Sequence, residues 1–295
     1  MTATPLIHVI GEVMVDVIAH TSSPPATGSD AESSITDQDG GSAANVAAWL
    51  AELDVPVHLI ARVGSDTRGD SACERLMSAG VTLAVARDPS LPTGRCVVIV
   101  TPDGERTMFP DPGANACLAE SDVDTQSWSA GEHLHASGYS LLREGSRAAV
   151  LAAMQQARGL GLTVSVDASS EAPLRALGPD AFLGWLTEGD LIFANAAEAE
   201  ALTGRSAPEQ ALTALVERGL VAVVKLGGRG ALAGAEDRRW TVPAAPAAAL
   251  DTTGAGDAFA AGFLASWTRE RDIDAALGLA TRIAARAVSQ QGGRP

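Results

Sequence analysis

From about residue 130 the chain alternates short apolar runs with stretches of helical length, and this alternation leaves few folds open. Leu134 to Ser137, Leu162 to Val166, Leu191 to Ala194 and Val221 to Leu226 read as strands. The stretch near 144–158 places Val150, Met154 and Ala157 on one helical face, and another helix is expected near 272–288. Strands joined by helices pair in parallel, so the pattern predicts a doubly wound, mostly parallel sheet covered by helices on both faces. Val57 to Val63 is nearly all apolar and suits an interior strand of the same sheet. Ligands of such sheets bind beyond the carboxyl ends of the strands. Asp167, Asn195, Gly227 and the Asp251–Asp257 loop all follow strands, which places the chemistry on one rim.

The rhythm breaks in the first third. Leu6 to Ile10 and Val13 to Ala19 are apolar runs on either side of Gly11-Glu12, with Asp16 interrupting the second. Residues 21–39 are polar and read as a surface loop or an edge hairpin. A helix over 67–79 closes at Gly80. Val81 to Ala86 and Thr93 to Thr101 are strand-like, and Pro102-Asp103-Gly104 turns the chain back through Glu105 to Phe109. Strands joined by a hairpin do not fit a βα alternation. They predict a small second sheet, from about 12–39 and 81–109, within one domain spanning 1–295.

Composition narrows the partners. A net charge of −15 opposes binding to nucleic acid or an anionic membrane, both of which need a basic field. No apolar run reaches the ~18 residues of a membrane span, and no secretory signal is visible. Cys73, Cys96 and Cys117 match neither a disulfide framework nor a zinc site. Reduced thiols and a cytoplasmic location are expected.

Asp251-Thr252-Thr253-Gly254-Ala255-Gly256-Asp257 reads as a loop that becomes a helix at its glycines. Phe259, Phe263 and Trp267 then follow at four-residue spacing. The N–H groups of the first turn lack helical partners and suit a phosphate or developing negative charge. Asp257 in that turn complements the helix dipole, as many carboxylates do, or serves as a general base beside the anion hole. Gly40-Gly41-Ser42-Ala43-Ala44-Asn45 opens a helix whose two glycines admit a ligand against the backbone. Asn195 and Glu198 form either an ordinary helix cap or the donor set of a hydrated Mg²⁺. Lys225-Leu226-Gly227-Gly228-Arg229-Gly230 is a glycine-rich loop after a strand. His133 and His135 share a strand face without a third metal ligand in reach. Neither a Gly-x-x-x-x-Gly-Lys-Ser/Thr loop nor an early Gly-x-Gly-x-x-Gly is present, and no nucleophilic elbow is recognisable.

Together these motifs resemble the ribokinase/PfkB family of carbohydrate kinases. The Asp251–Asp257 segment is similar to the family's C-terminal signature, Gly40–Asn45 to its N-terminal glycine motif, and Asn195-Ala196-Ala197-Glu198 to its Asn-x-x-Glu motif. The Lys225–Gly230 segment resembles its nucleotide loop, and Gly113-Ala114-Asn115-Ala116 also recurs there. The matches fall in the family's order over nearly the whole chain. The resemblance implies a three-layer α/β/α sandwich with a mostly parallel central sheet and a small β-sheet lid. It implies ATP-dependent phosphorylation of a hydroxyl, usually primary, on a small carbohydrate or sugar acid. Asp257 would be the base, and Gly254, Ala255, Gly256 and the Asp257 N–H the anion hole. Asp16, Gly40, Gly41, Asn45 and Asp257 would hold the acceptor. Asn195, Lys225, Gly227, Gly228, Gly230, Gly254 and Gly256 would border the nucleotide, with Asn195 and Glu198 holding Mg²⁺ through water. Some relatives bind a monovalent cation beside the anion hole. Asp251, Thr253 and the Ser289–Gly293 loop are placed for K⁺ here, and Arg106 is placed to reach a phosphate from the lid. A homodimer paired through the lid is a further family expectation.

The chain departs from the family in three places. Pro25-Ala26-Thr27-Gly28 is followed by Ser29 where many relatives have Glu. Ala136-Ser137-Gly138-Tyr139 lacks the acid of ribokinase itself, which argues against ribose. The sequence also runs to Pro295 without the last helix of many relatives. A nucleoside kinase of the same family is the second reading, disfavoured by a single tyrosine and five phenylalanines. A non-catalytic sugar or nucleotide sensor is the third.

Overall fold

The computed structural model describes residues 4–25, 27–103 and 105–295. In chain order the strands are β1 (Ile7–Ile10), β2 (Met14–Thr21), β3 (Ser33–Gly40), β4 (Val57–Gly64), β5 (Thr82–Asp88), β6 (Gly94–Val100) and β7 (Arg106–Asp111). They continue with β8 (His133–Ser137), β9 (Thr163–Asp167), β10 (Leu191–Asn195), β11 (Val221–Lys225), β12 (Ala231–Ala235) and β13 (Arg238–Val242). Among the described residues, nine strands form a large sheet in the order β13-β12-β11-β10-β9-β8-β1-β4-β5. From β11 to β5 every pairing is parallel, and β12 and β13 add an antiparallel edge. The other four form a small sheet in the order β3-β2-β6-β7.

Helices cover both faces of the large sheet. One layer holds α1 (Ser42–Glu52) and α2 (Thr67–Ser78), and the other holds α3 (Gly138–Leu142), α4 (Glu144–Gly159), α5 (Glu171–Leu177), α6 (Pro179–Leu183), α7 (Ala196–Thr203) and α8 (Pro208–Val216). The chain returns to the first layer with α9 (Ala255–Glu270) and α10 (Ile273–Val288). Each layer closes its own apolar core against the sheet. The expected α9 stripe is real: Phe259, Phe263 and Trp267 are all buried, and Phe263 meets Phe193 of β10 edge to face with ring centroids 5.4 Å apart.

Two expectations are made definite and one needs correction. The apolar stretch from Leu6 to Ala19 serves both sheets, with β1 central in the large one and β2 central in the small one. The break falls at Gly11-Glu12, where a Cβ on Gly11 would stand 2.6 Å from that of Ala43. Residues 33–40, read as a loop or hairpin arm, form β3 and pair with the whole of β2. Finally, β5 is not part of the lid. It pairs in parallel with β4 as the edge of the large sheet, reached through α2 as a βαβ crossover requires. The lid therefore consists of 14–21, 33–40, 94–100 and 106–111. The expected turn at Pro102–Gly104 and the Pro25–Gly28 segment each include a residue outside those described.

Candidate active site

The carboxyl ends of β9, β10 and β11 place Asp167, Asn195 and Lys225 side by side, and the parallel register aligns Asp167 with Phe193 and Asn195 with Lys225. The N-terminus of α9 faces this rim. Gly254 takes φ +69 at the cap. Ala255 N–H is engaged with the Thr252 carbonyl at 3.3 Å, whereas no partner is found for the N–H groups of Gly256 and Asp257 among the described residues. Of the four residues expected to form the anion hole, Gly254 to Asp257, Ala255 alone has its N–H engaged among the described residues.

Asp257 is held from the opposite wall. Ser42 Oγ donates to its Oδ1 at 2.7 Å and Asn45 Nδ2 to its Oδ2 at 2.9 Å. Burial pushes the Asp257 pKa up to about 7, against the two hydrogen bonds, which favour the charged form. Asp167 pushes it further up and Lys225 pulls it down. The result is a carboxylate poised near neutrality beside free N–H donors.

Lys225 Nζ donates to Asp167 Oδ2 at 2.7 Å and lies where a Cβ on Gly256 would come within 3.2 Å. Burial opposes its charge, but Asp167 and Glu198 outweigh it, and its pKa is raised. Lys225 Nζ therefore lies against Gly256 in the first turn of α9. Gly227 and Gly228 form an exposed turn, and Gly230 approaches the Val242 carbonyl so closely that a Cβ would sit 2.0 Å away. Asn195 and Glu198 make the capping pair: Glu198 N–H donates to Asn195 Oδ1 at 2.9 Å, and Asn195 N–H and Nδ2 donate to the two Glu198 oxygens, each at 2.7 Å. Burial also raises the Glu198 pKa.

The residues expected to hold the acceptor meet on the other side of Asp257. Gly41, at φ +94, folds the chain against β1 and β2, where a Cβ would strike the Glu12 carbonyl at 2.5 Å. Gly40 leaves room for Asp16, whose Oδ1 would lie 2.5 Å from any Cβ there. Burial raises Asp16 to about 6, moderated by Arg294 and reinforced by Asp39. A small cleft of about 70 Å³ lies between Asp16, Ile18, His20 and Gln38 of the lid and Leu250, Asp251, Thr253 and Gln291. Arg106 of β7 crosses it, donating to Asp251 Oδ1 at 2.7 Å and to Thr253 Oγ1. Asp251 also accepts the N–H groups of Thr253 and Gly292. Burial alone would raise its pKa, but these donors hold it well below the usual range.

Several contributors carried no signal in the sequence. Ser42 lies inside the glycine motif without marking itself as a partner of Asp257. Glu12 is buried with its pKa raised by burial, and it accepts from Ser42 N–H, Ser137 Oγ and Ser140 Oγ, pinning the start of α1 to the end of β8. Arg294 reaches Asn45 and Gly40 from the C-terminal loop. His133 and His135 are bound to Thr163 and Ser165 inside the sheet. No cluster of three His, Cys, Asp or Glu suited to a metal occurs among the described residues.

Comparison with known proteins agrees with this arrangement. A model described as pfkB family carbohydrate kinase matches residues 4–295. An ATP-dependent ribose-1-phosphate kinase from Halopiger xanaduensis is 35% identical over 90% of this chain and 86% of its own. Among solved structures, adenosine kinase from Sinorhizobium meliloti superposes with a TM-score of 0.88 at 26% identity, covering 99% of this chain and 96% of that one. A fructokinase from Vibrio cholerae, in a form with fructose, ADP and calcium bound, gives 0.82 at 29% identity, covering 98% and 94%. With a signature matched from end to end and its motifs gathered on one rim, the chain belongs to the pfkB family of carbohydrate kinases.

Proposed function

We propose that this sugar kinase moves the γ-phosphoryl group of ATP to a hydroxyl of a small carbohydrate or sugar acid, with Asp257 as general base. The observation that carries the reading is the Asp257 carboxylate, raised to about 7 and set between Ser42, Asn45 and the open N–H groups of α9. The acceptor hydroxyl gives its proton to Asp257 while its oxygen forms the new bond to phosphorus. The bond from that phosphorus to the β-bridging oxygen breaks, and ADP leaves. Gly256 and Asp257 N–H groups hold the charge on the transferring group, with Lys225 close by. Asp16, Gly40, Gly41 and Asn45 orient the acceptor.

The Asn195–Glu198 pair fits a divalent ion held through water, since it offers one carboxylate and one amide and no all-protein cage. A bound Mg²⁺ would supply charge neutralisation on the phosphates. Gly227, Gly228 and Gly230 would leave room for the nucleotide. Asp251 and Thr253 do not fit K⁺ as they stand, because Arg106 already neutralises that carboxylate. The small cleft has no Phe, Tyr or Trp among its described lining residues, which favours a sugar over a nucleoside base. No described helix is long and apolar enough to cross a membrane, and with the acidic charge this supports a cytoplasmic enzyme acting on small molecules.

The test is ADP release from Asp257→Ala and wild type across ketoses, aldoses, sugar acids and nucleosides. Loss of the base is expected to cost ~10²–10⁴-fold in turnover. Turnover of the variant within about threefold of wild type would overturn the assignment.

A further inference from the structure

Arg294 donates Nε to Asn45 Oδ1 at 3.2 Å and Nη2 to the Gly40 carbonyl at 2.8 Å. Its side chain is only 10% exposed, and Nη1 lies 3.5 Å from Asp39 Oδ1. The loop that carries it is fixed independently. Gly293 accepts a hydrogen bond from Trp49 Nε1 at 2.9 Å, and Gly292 N–H donates to Asp251. Gly254 packs so closely on this loop that a Cβ would stand 2.5 Å from Gly293 Cα. The guanidinium is therefore delivered to Asn45 by the same loop that buttresses the start of α9.

This contact decides which end of the Asn45 amide faces the base. A guanidinium has donors only, and an ionised carboxylate has acceptors only. With Arg294 on one side and Asp257 on the other, the amide satisfies both in one orientation alone: Oδ1 toward Arg294 and Nδ2 toward Asp257. Turned over, it would set –NH₂ against the guanidinium and a carbonyl oxygen against the carboxylate. Two charge-assisted hydrogen bonds would become two repulsions.

We propose that Arg294 is a positioning residue for the base, locking the Asn45 amide so that Asp257 keeps its second donor and its aim at the acceptor hydroxyl. This rests on the reading of Asp257 as base. Arg294 acts through Asn45, so its contribution belongs to kcat and disappears when the amide is gone.

A double-mutant cycle tests this with Arg294→Met, Asn45→Ala and the pair, assayed for ADP release with saturating ATP and acceptor. Arg294→Met is expected to lower kcat about tenfold, as for one hydrogen bond to a charged group, while KM for ATP stays within about twofold. In the Asn45→Ala background the same substitution is expected to change kcat by less than about twofold. Equal losses in both backgrounds overturn the proposal, as does an effect confined to the acceptor KM. Arg294→Gln keeps a polar side chain but not the donors-only head, and it carries the same cycle if the methionine variant does not fold. A wild-type kcat in Arg294→Met overturns the proposal. Asp257→Asn is run alongside. An active Asp257→Asn enzyme overturns the base reading and this inference with it, whereas an inactive one with an additive cycle overturns this inference alone.

Discussion

As the proposed base, Asp257 must be ionised to take a proton, and its pKa of about 7 sets where that happens. Below about pH 6, kcat/KM is expected to fall roughly tenfold per pH unit, as measured by a pH–rate profile on a good acceptor. The same shift has a stability sign. The folded carboxyl binds its proton at about 7, whereas an unperturbed aspartate does so at 3.8. Folded-state stability from this group is thus complete below about 4 and is lost as pH rises through about 7. Asp257→Asn is expected to melt above wild type at pH 8, with the gap closing as pH falls toward 4 in parallel thermal scans. Asp257 itself was legible from its glycines. Ser42 and Arg294 were not, because their contacts bridge 215 and 249 positions of sequence. Only folding brings Ser42 to the Asp257 carboxylate and Arg294 to the Asn45 amide beside it.

The small sheet shows what local pattern can and cannot carry. Alternation is clear on its inner face, where Met14, Ile18, Cys96, Val98 and Val100 are buried together. The sequence disclosed that a second sheet exists, but not which strand belongs to which. The β5 segment looks the same whether it edges a large sheet or a small one, and only the crossover through α2 assigns it. Arg106 ties the lid strand β7 to Asp251 and Thr253, while Arg75 and Arg294 tie β3 to the body at Asp39. Arg106→Ala removes the β7 tie. Acceptor KM is expected to rise roughly tenfold with a smaller change in kcat, because a partly buried charged hydrogen bond is lost from the closed lid alone. An unchanged KM in steady-state assays would show that the tie does not hold the lid over the acceptor.

Across the whole molecule, the two helical layers and the parallel strands were readable from periodicity, and the rim followed from the rule for such sheets. The association state was not, because it depends on what the outer lid face meets. There Val17, Val97 and Phe109 align across three strands, and Ile35 sits 65% exposed beside them. We propose that this face pairs two copies, as the family resemblance implies. Light scattering at micromolar concentration is expected to give a dimer, and Phe109→Asp, which buries a charge in that contact, a monomer. A monomeric wild type at that concentration would reject the pairing.

Lys225 is the single lysine of the chain, and it is drawn to Asp167 on the rim of the sheet. Positive charge elsewhere on the side chains falls to arginine and to whichever of the five histidines are protonated. A guanidinium stays charged at any pH a protein survives. The outer electrostatics of this kinase therefore vary with acidity through carboxylates and imidazoles, against a fixed arginine background. The one ε-amine of the chain is held charged against Asp167 with its side chain mostly covered, out of easy reach of acylating or aldehyde chemistry.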